Sequence, residues 1–165
     1  MTPPSTPIST TPPAAADMTS DTTLRERYLS VKARIAAAAK RVGRDPAGIV
    51  LVAVTKFAEP DQIRELIKLG HVDFGENKVQ QLIQRAPMID EWLGRHRSMP
   101  GVNVPRNTGP DALGPAVAPG QIRWHMIGHL QRNKARKVVE LCRLIHSVDS
   151  LRLAEELQLI AAKRE

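Results

Sequence analysis

Cysteine is almost missing from this 165-residue chain: Cys142 stands alone, so no internal disulfide can form. A single thiol in an apolar segment with helical spacing is read as an inert buried side chain rather than a nucleophile. No pair of cysteines or histidines has zinc-ligand spacing. Aromatic residues make up only 3% of the chain, too few for the ring platforms on which single-stranded nucleic acids stack. Acidic residues are in deficit, 17 against 24 Lys and Arg, and the formal net charge of +7 favours anionic partners without choosing among them. Nothing resembles a membrane span, and the N-terminus lacks the basic start and apolar run of a signal peptide, so the cytoplasm is the default compartment. No GxGxxG follows the first predicted strand, which weakens the case for a dinucleotide-binding sheet.

What is present falls into unequal pieces. The opening "MTPPSTPISTTPPAAADMTS" is rich in Pro, Thr, Ser and Ala and nearly uncharged. Such a stretch buries too little surface to offset its ordering entropy, so residues 1–22 are expected to be a disordered tail, with a proline-rich recognition segment as the functional alternative. Thr23 and Glu26 have capping-box spacing, and Tyr28, Val31, Ile35, Ala38 and Val42 form an apolar stripe that Gly43 ends. The strand Ile49–Lys56 follows, then a helix from Pro60 to Gly70, a strand in "HVDFGEN", and a helix from Val79 that Pro87 is expected to interrupt. Residues 94–121 have turn composition throughout and are read as a surface insertion. "IRWHMIG" is predicted as a strand, Leu130–Leu144 as a helix, "LIHSVDS" as a fourth strand, and Leu151 onward as a last helix. Four strand–helix alternations imply parallel strands with right-handed crossovers, in an open doubly wound sheet or a (β/α)8 barrel. Four strands do not close a barrel, which usually takes about 250 residues.

Lys56 ends the apolar run Ile49–Val54. Residues two apart in a strand share a face, so Val50, Val52, Val54 and Lys56 point the same way. Inside a barrel, that would put an amine at the C-terminal strand ends, where barrel active sites form. Loss of water there would favour the neutral amine, a nucleophile toward aldehydes. The plainer reading is a strand-end lysine whose long stem reaches solvent, and spacing alone favours it. His125 and His146 read equally well as satisfied strand-end histidines, Trp124 as packing, and Arg132, Lys134, Arg136 and Lys137 as a solvated helix face whose rival role is RNA contact.

Polar residues gather after every predicted strand: "LVAVTK", "FGENKVQQ", "RWHMIGHLQRNKARK" and "IHSVDS". Together these segments closely resemble the pyridoxal phosphate homeostasis proteins, a family that shares its barrel with the N-terminal domain of alanine racemase. The resemblance runs from about residue 24 to 165, apart from the insertion. It implies an α/β fold, the N-terminal half of a (β/α)8 TIM barrel with about four parallel strands, and a partial cofactor-binding domain over residues 23–165. It implies that Lys56 carries pyridoxal 5'-phosphate as a Schiff base, with Asn77 and His125 beside the cofactor. His129 and Gln131 to Lys134 match the signature after strand three without an assigned role. "TKFAEP" departs mildly from the family's usual serine and threonine around the lysine. In the family, late-strand amides, glycines and a serine grip the phosphate and a late arginine faces the pyridine nitrogen, and this sequence ends at Glu165 before any of them.

The expected function is therefore to hold and hand over this reactive aldehyde inside the cell without catalysing turnover, with cofactor-requiring apoenzymes as recipients. Racemisation would need a second acid or base across the ring, and Tyr28 is the only tyrosine. The alternatives are an inactive fragment of such a protein, a pyridoxal phosphate-dependent racemase or decarboxylase relative, and a basic RNA-binding module. An open-edged half barrel is further expected to be marginally stable and to associate.

Overall fold

A computed structural model describes residues 22–96 and 122–163. Of the expected tail over 1–22 and insertion over 94–121, residues 1–21 and 97–121 lie outside the described residues. Helix α1 spans Leu24–Arg41, β1 Ala53–Val54, α2 Pro60–Lys68, β2 Asp73–Glu76, α3 Val79–His96, β3 Arg123–Met126, α4 Ala135–Leu141, β4 Cys142–Ile145 and α5 Leu151–Ala161. Short 3-10 turns at Pro46–Gly48 and Arg132–Lys134 complete the order. The four strands form one parallel sheet in the order β1-β2-β3-β4.

Local chemistry sets the helix ends. The Glu26 backbone N–H donates to the Thr23 hydroxyl at 3.3 Å, and the Thr23 N–H donates to the Glu26 carboxylate at 2.9 Å, so the capping box forms. Gly43 and Gly70 adopt φ of 66° and 89°, the left-handed conformation that costs a side-chain-bearing residue steric energy. At Gly70 the amide bonds back to Ile67 and the next amide, of His71, to Leu66, which satisfies carbonyls that α2 would leave unpaired.

The core lies between one sheet face and the helices. Phe74, Trp124 and Met126 project from β2 and β3 onto Ile63 and Ile67 of α2, Leu82 and Ile89 of α3, Val138 of α4 and Leu153 of α5, all buried in one cluster. Each such side chain contributes about 1.5–3 kcal/mol by leaving water. On the opposite face, Val50, Val52, Asp73, Arg123, His125 and His146 line a cavity of about 360 Å³.

Several boundaries differ from the expectations, each for a physical reason. β1 pairs only at Ala53 and Val54, not over Ile49–Lys56. Ala53 sits opposite Phe74, so Ile49 and Val50 would face Gly70 and His71, where the chain is still closing α2. α3 runs through Pro87 to His96, so residues 94–96 are helical rather than part of an insertion. Pro87 is exposed, while Leu82, Ala86, Ile89 and Leu93 form a continuous buried stripe that offsets its missing N–H. α4 stops at Leu141 and Cys142 opens β4, opposite Trp124. Cys142 is thus a strand residue, because a run of apolar residues fits both periodicities and only pairing decides. The predicted α1 stripe is also corrected: Tyr28 and Ala39 face the interior, whereas Val31 and Val42 are exposed, Val42 by 77%.

Candidate functional site

The strand ends gather on one rim, and Lys56 reaches it from a turn rather than from a strand. The Ala58 N–H donates to the Thr55 carbonyl at 2.9 Å, which closes a turn with Lys56 and Phe57 at its centre. Lys56 is exposed, and its Nζ lies 5.1 Å from the ring centroid of Phe57, itself 87% exposed. The sheltered amine expected of a strand end facing a barrel interior is therefore not what the described residues form. Continuing the pairing of Val54 with Gly75 by two residues sets Lys56 alongside Asn77 at the ends of adjacent strands.

The rim is tightly knit beyond that point. A Cβ on Gly128 would lie 2.1 Å from the Asn77 carbonyl oxygen, so only glycine lets the ends of β2 and β3 approach this closely. The Ser147 hydroxyl donates to the Gly128 carbonyl, joining the segment after β4 to the same rim. His129 Nδ1 and Asp149 Oδ2 are 2.9 Å apart on the exposed side. Asn77 Oδ1 is buried with no hydrogen-bond partner among the described residues.

His125 lies one row deeper, opposite Gly75. Its Nε2 donates to Asp73 Oδ1 at 3.0 Å, since an ionised carboxylate only accepts. In a neutral ring Nδ1 must then accept, so His146 Nε2–H is the donor across their 2.9 Å contact. Arg123 also binds Asp73 through Nε, at 2.7 Å, and through a second nitrogen. Burial alone would raise the Asp73 carboxyl, but hydrogen bonds from His125 and Arg123 and their charges outweigh it and hold the group below the ordinary carboxylate value. His146 is shifted down by burial and by the neighbouring His125.

On the helix side of β2, Glu76 is fully buried beside Phe74 on the core-facing register. The Thr55 hydroxyl donates to its Oε1 at 2.6 Å, and the Arg85 guanidinium donates to the same oxygen. The sequence held a signal for this pair: an acidic residue two positions from Phe74 faces the core and requires a cation, which α3 supplies. Tyr28 meets buried His71, its hydroxyl 3.2 Å from Nδ1. Trp124 packs 5.7 Å from Phe74, ring centre to ring centre, as expected of a packing residue. Burial pushes the Cys142 thiol up to about 12, consistent with the inert reading. Arg132, Arg136 and Lys137 are exposed, and Lys137 pairs with Glu140 at 3.0 Å. Among the described residues no helix is long and apolar enough to cross a membrane, and no cluster of ligands could hold a metal ion.

No protein-family model matches the chain. Its sequence is 35% identical over 135 residues to the pyridoxal phosphate homeostasis protein of Pseudomonas aeruginosa, covering 82% of this chain and 46% of that one. It is 37% identical over 127 residues to the protein of the same name from Escherichia coli K12, covering 77% and 44%. Among solved structures, PipY of Synechococcus elongatus with pyridoxal phosphate bound is 33% identical, with a TM-score of 0.50 over 81% of this chain and 49% of that one. A protein from Bifidobacterium adolescentis, described as unknown, is 32% identical with a TM-score of 0.66, covering 86% and 50%. The chain spans about half the length of the relatives it matches, with a sheet of four parallel strands whose order follows the sequence. Over that shared half it is similar to the pyridoxal phosphate homeostasis proteins.

Proposed function

We propose that this chain binds pyridoxal 5'-phosphate at the rim formed by the Thr55–Ala58 turn and the end of β2, as a holder of the cofactor rather than a catalyst. Lys56 is the residue that attaches it, as a Schiff base. The observation that carries the reading is the likeness to PipY with pyridoxal phosphate bound, joined to an exposed amine on the turn after β1. The cofactor supplies an aldehyde, which condenses reversibly with an amine and releases water. Lys56 provides that amine from a turn open to solvent. Asn77 Oδ1 offers an unspent acceptor. His125, with both ring nitrogens engaged, serves as a rigid floor below the rim.

The fold supports the same reading. Strand order that follows the sequence, with the buried helix faces gathered on one side, is the arrangement of a (β/α)8 barrel. We read the sheet as four of its eight strands, with the cavity on the barrel-interior side. Holding without turnover fits Tyr28, which is buried on the helix side against His71 and shifted up by burial and then by the Asp73 charge. It cannot reach the rim as a second acid or base. Apoenzymes that require the cofactor are the recipients in this reading.

Absorbance after adding pyridoxal phosphate tests it, with Lys56→Ala beside the parent. The imine band is expected in the parent and absent in the variant. Borohydride reduction followed by peptide mass spectrometry should place the added mass on Lys56. An identical spectrum for both proteins removes Lys56 from the account.

A further inference from the structure

Every carbonyl around Lys56 that the structure shows engaged is held from within the turn or by a side chain of α3. The Arg85 guanidinium donates to the Thr55 carbonyl and, at 2.7 Å, to the Ala58 carbonyl, the two ends of the turn. Gln81 Nε2 donates to the Lys56 carbonyl at 3.4 Å. Arg85 also pairs with fully buried Glu76, whose Oε1 accepts from the Thr55 hydroxyl. One planar cation therefore binds a carboxylate of β2 and both ends of the turn after β1. A lysine cannot reproduce this, because its compact ammonium lacks the fork of donors needed to bridge three oxygens in fixed directions.

The arrangement serves little purpose as burial alone. Thr55 and Ala58 at the turn's ends are packed inward, but Phe57 at its centre is 87% exposed, so packing holds the ends and not the centre of the turn. A two-residue excursion into solvent would fray without such ties, since exposed segments with few buried contacts open readily. We propose that Arg85 is a positioning residue for Lys56: together with Glu76 and Gln81 it fixes the turn so that the amine is presented at the rim in one orientation. This rests on Lys56 being the attachment point, and it adds what aims that amine. The binding gain is entropic, because a turn already held in the bound conformation loses less freedom on binding.

The test uses Arg85→Lys, which keeps the charge opposite Glu76 but loses the fork, and Gln81→Ala, which removes only the tie to the Lys56 carbonyl. Three readouts are taken on the full chain: urea unfolding, hydrogen exchange at the Ala58 amide, and pyridoxal phosphate titration of the imine band across pH. For Arg85→Lys we expect exchange at Ala58 at least tenfold faster and cofactor affinity about tenfold weaker, with the pH midpoint of imine formation unmoved. Gln81→Ala should shift both in the same direction by a smaller factor. Unchanged exchange in both variants overturns the clamp. Faster exchange with unchanged affinity, while Lys56→Ala abolishes the band, overturns the positioning role and leaves the attachment intact. Loss of affinity with a moved pH midpoint also overturns it, since Arg85 would then act on amine chemistry. Should the parent itself form no Lys56-dependent band, the attachment reading fails first and the positioning role falls with it. If Arg85→Lys does not fold, Gln81→Ala decides alone by the same criteria.

Discussion

Replacing Asp73 by Asn probes the charge network under the rim with almost no change of shape. Asp73 accepts two hydrogen bonds from Arg123 and one from His125, and all three side chains are buried. Bonds to a charged group contribute about 1.5–3 kcal/mol each, and neutral ones about 0.5–1.5 kcal/mol. The amide also turns its NH2 toward a donor, and it leaves the Arg123 cation without a counter-charge. Breaking a buried pair on one side costs about 3–5 kcal/mol. A loss of about 3 kcal/mol at neutral pH is therefore expected, which at a urea slope of about 2 kcal/mol per molar lowers the midpoint by about 1.5 M. The pH dependence gives an independent check. The folded carboxyl titrates below its ordinary value, so its stabilisation is fully present above the ordinary carboxylate pKa of about 3.9 and is lost as pH falls through the lower folded value. The gap between parent and variant should narrow over that acid range. Urea unfolding at neutral pH and at several acid pH values measures both. A neutral-pH loss under about 1 kcal/mol, or a gap that stays constant into acid, refutes the reasoning.

Gly128→Ala forces a Cβ against the Asn77 carbonyl and should cost about 1–3 kcal/mol by thermal unfolding; an unshifted midpoint would show that the rim opens freely. With its thiol half-buried and pushed up to about 12, Cys142 should react with an aromatic disulfide reagent more slowly in the native chain than in urea, and equal rates would contradict that shift. Among the described residues β1 pairs only with β2 and β4 only with β3, so both sheet edges are open. The chain should therefore associate, its sedimenting mass rising with concentration; a monomer with a sharp, concentration-independent melt rules this out.

Where one physical signal dominated, the sequence was readable. The capping box at Thr23 and Glu26 and the glycine that ends α2 each depend on neighbours within a few residues. Asn77 was legible as the polar end of a strand. Glu76, Arg85, Gln81 and Ser147 were not singled out, although Glu76 carried a usable sign in sharing a face with Phe74. Their partners sit 9 to 30 residues away, so no local pattern names them. The Pro87 helix and the early end of α4 were misread for a related reason: burial across the sheet and pairing with β3 overrode local propensity.

By itself the sequence determined an alternation of strands and helices, a parallel connection between them, an isolated thiol and an amine at the end of the first apolar run. Those properties follow from side-chain periodicity and residue chemistry along the chain. Only the tertiary structure decided that Lys56 stands on a solvent-facing turn, that Arg85 ties down both ends of that turn, that Arg123 pairs with Asp73, and that His125 joins Asp73 to His146 by hydrogen bonds. Hydrogen bonds and ion pairs between distant segments need a fixed register, and register is settled by the packing of the whole sheet against its helices.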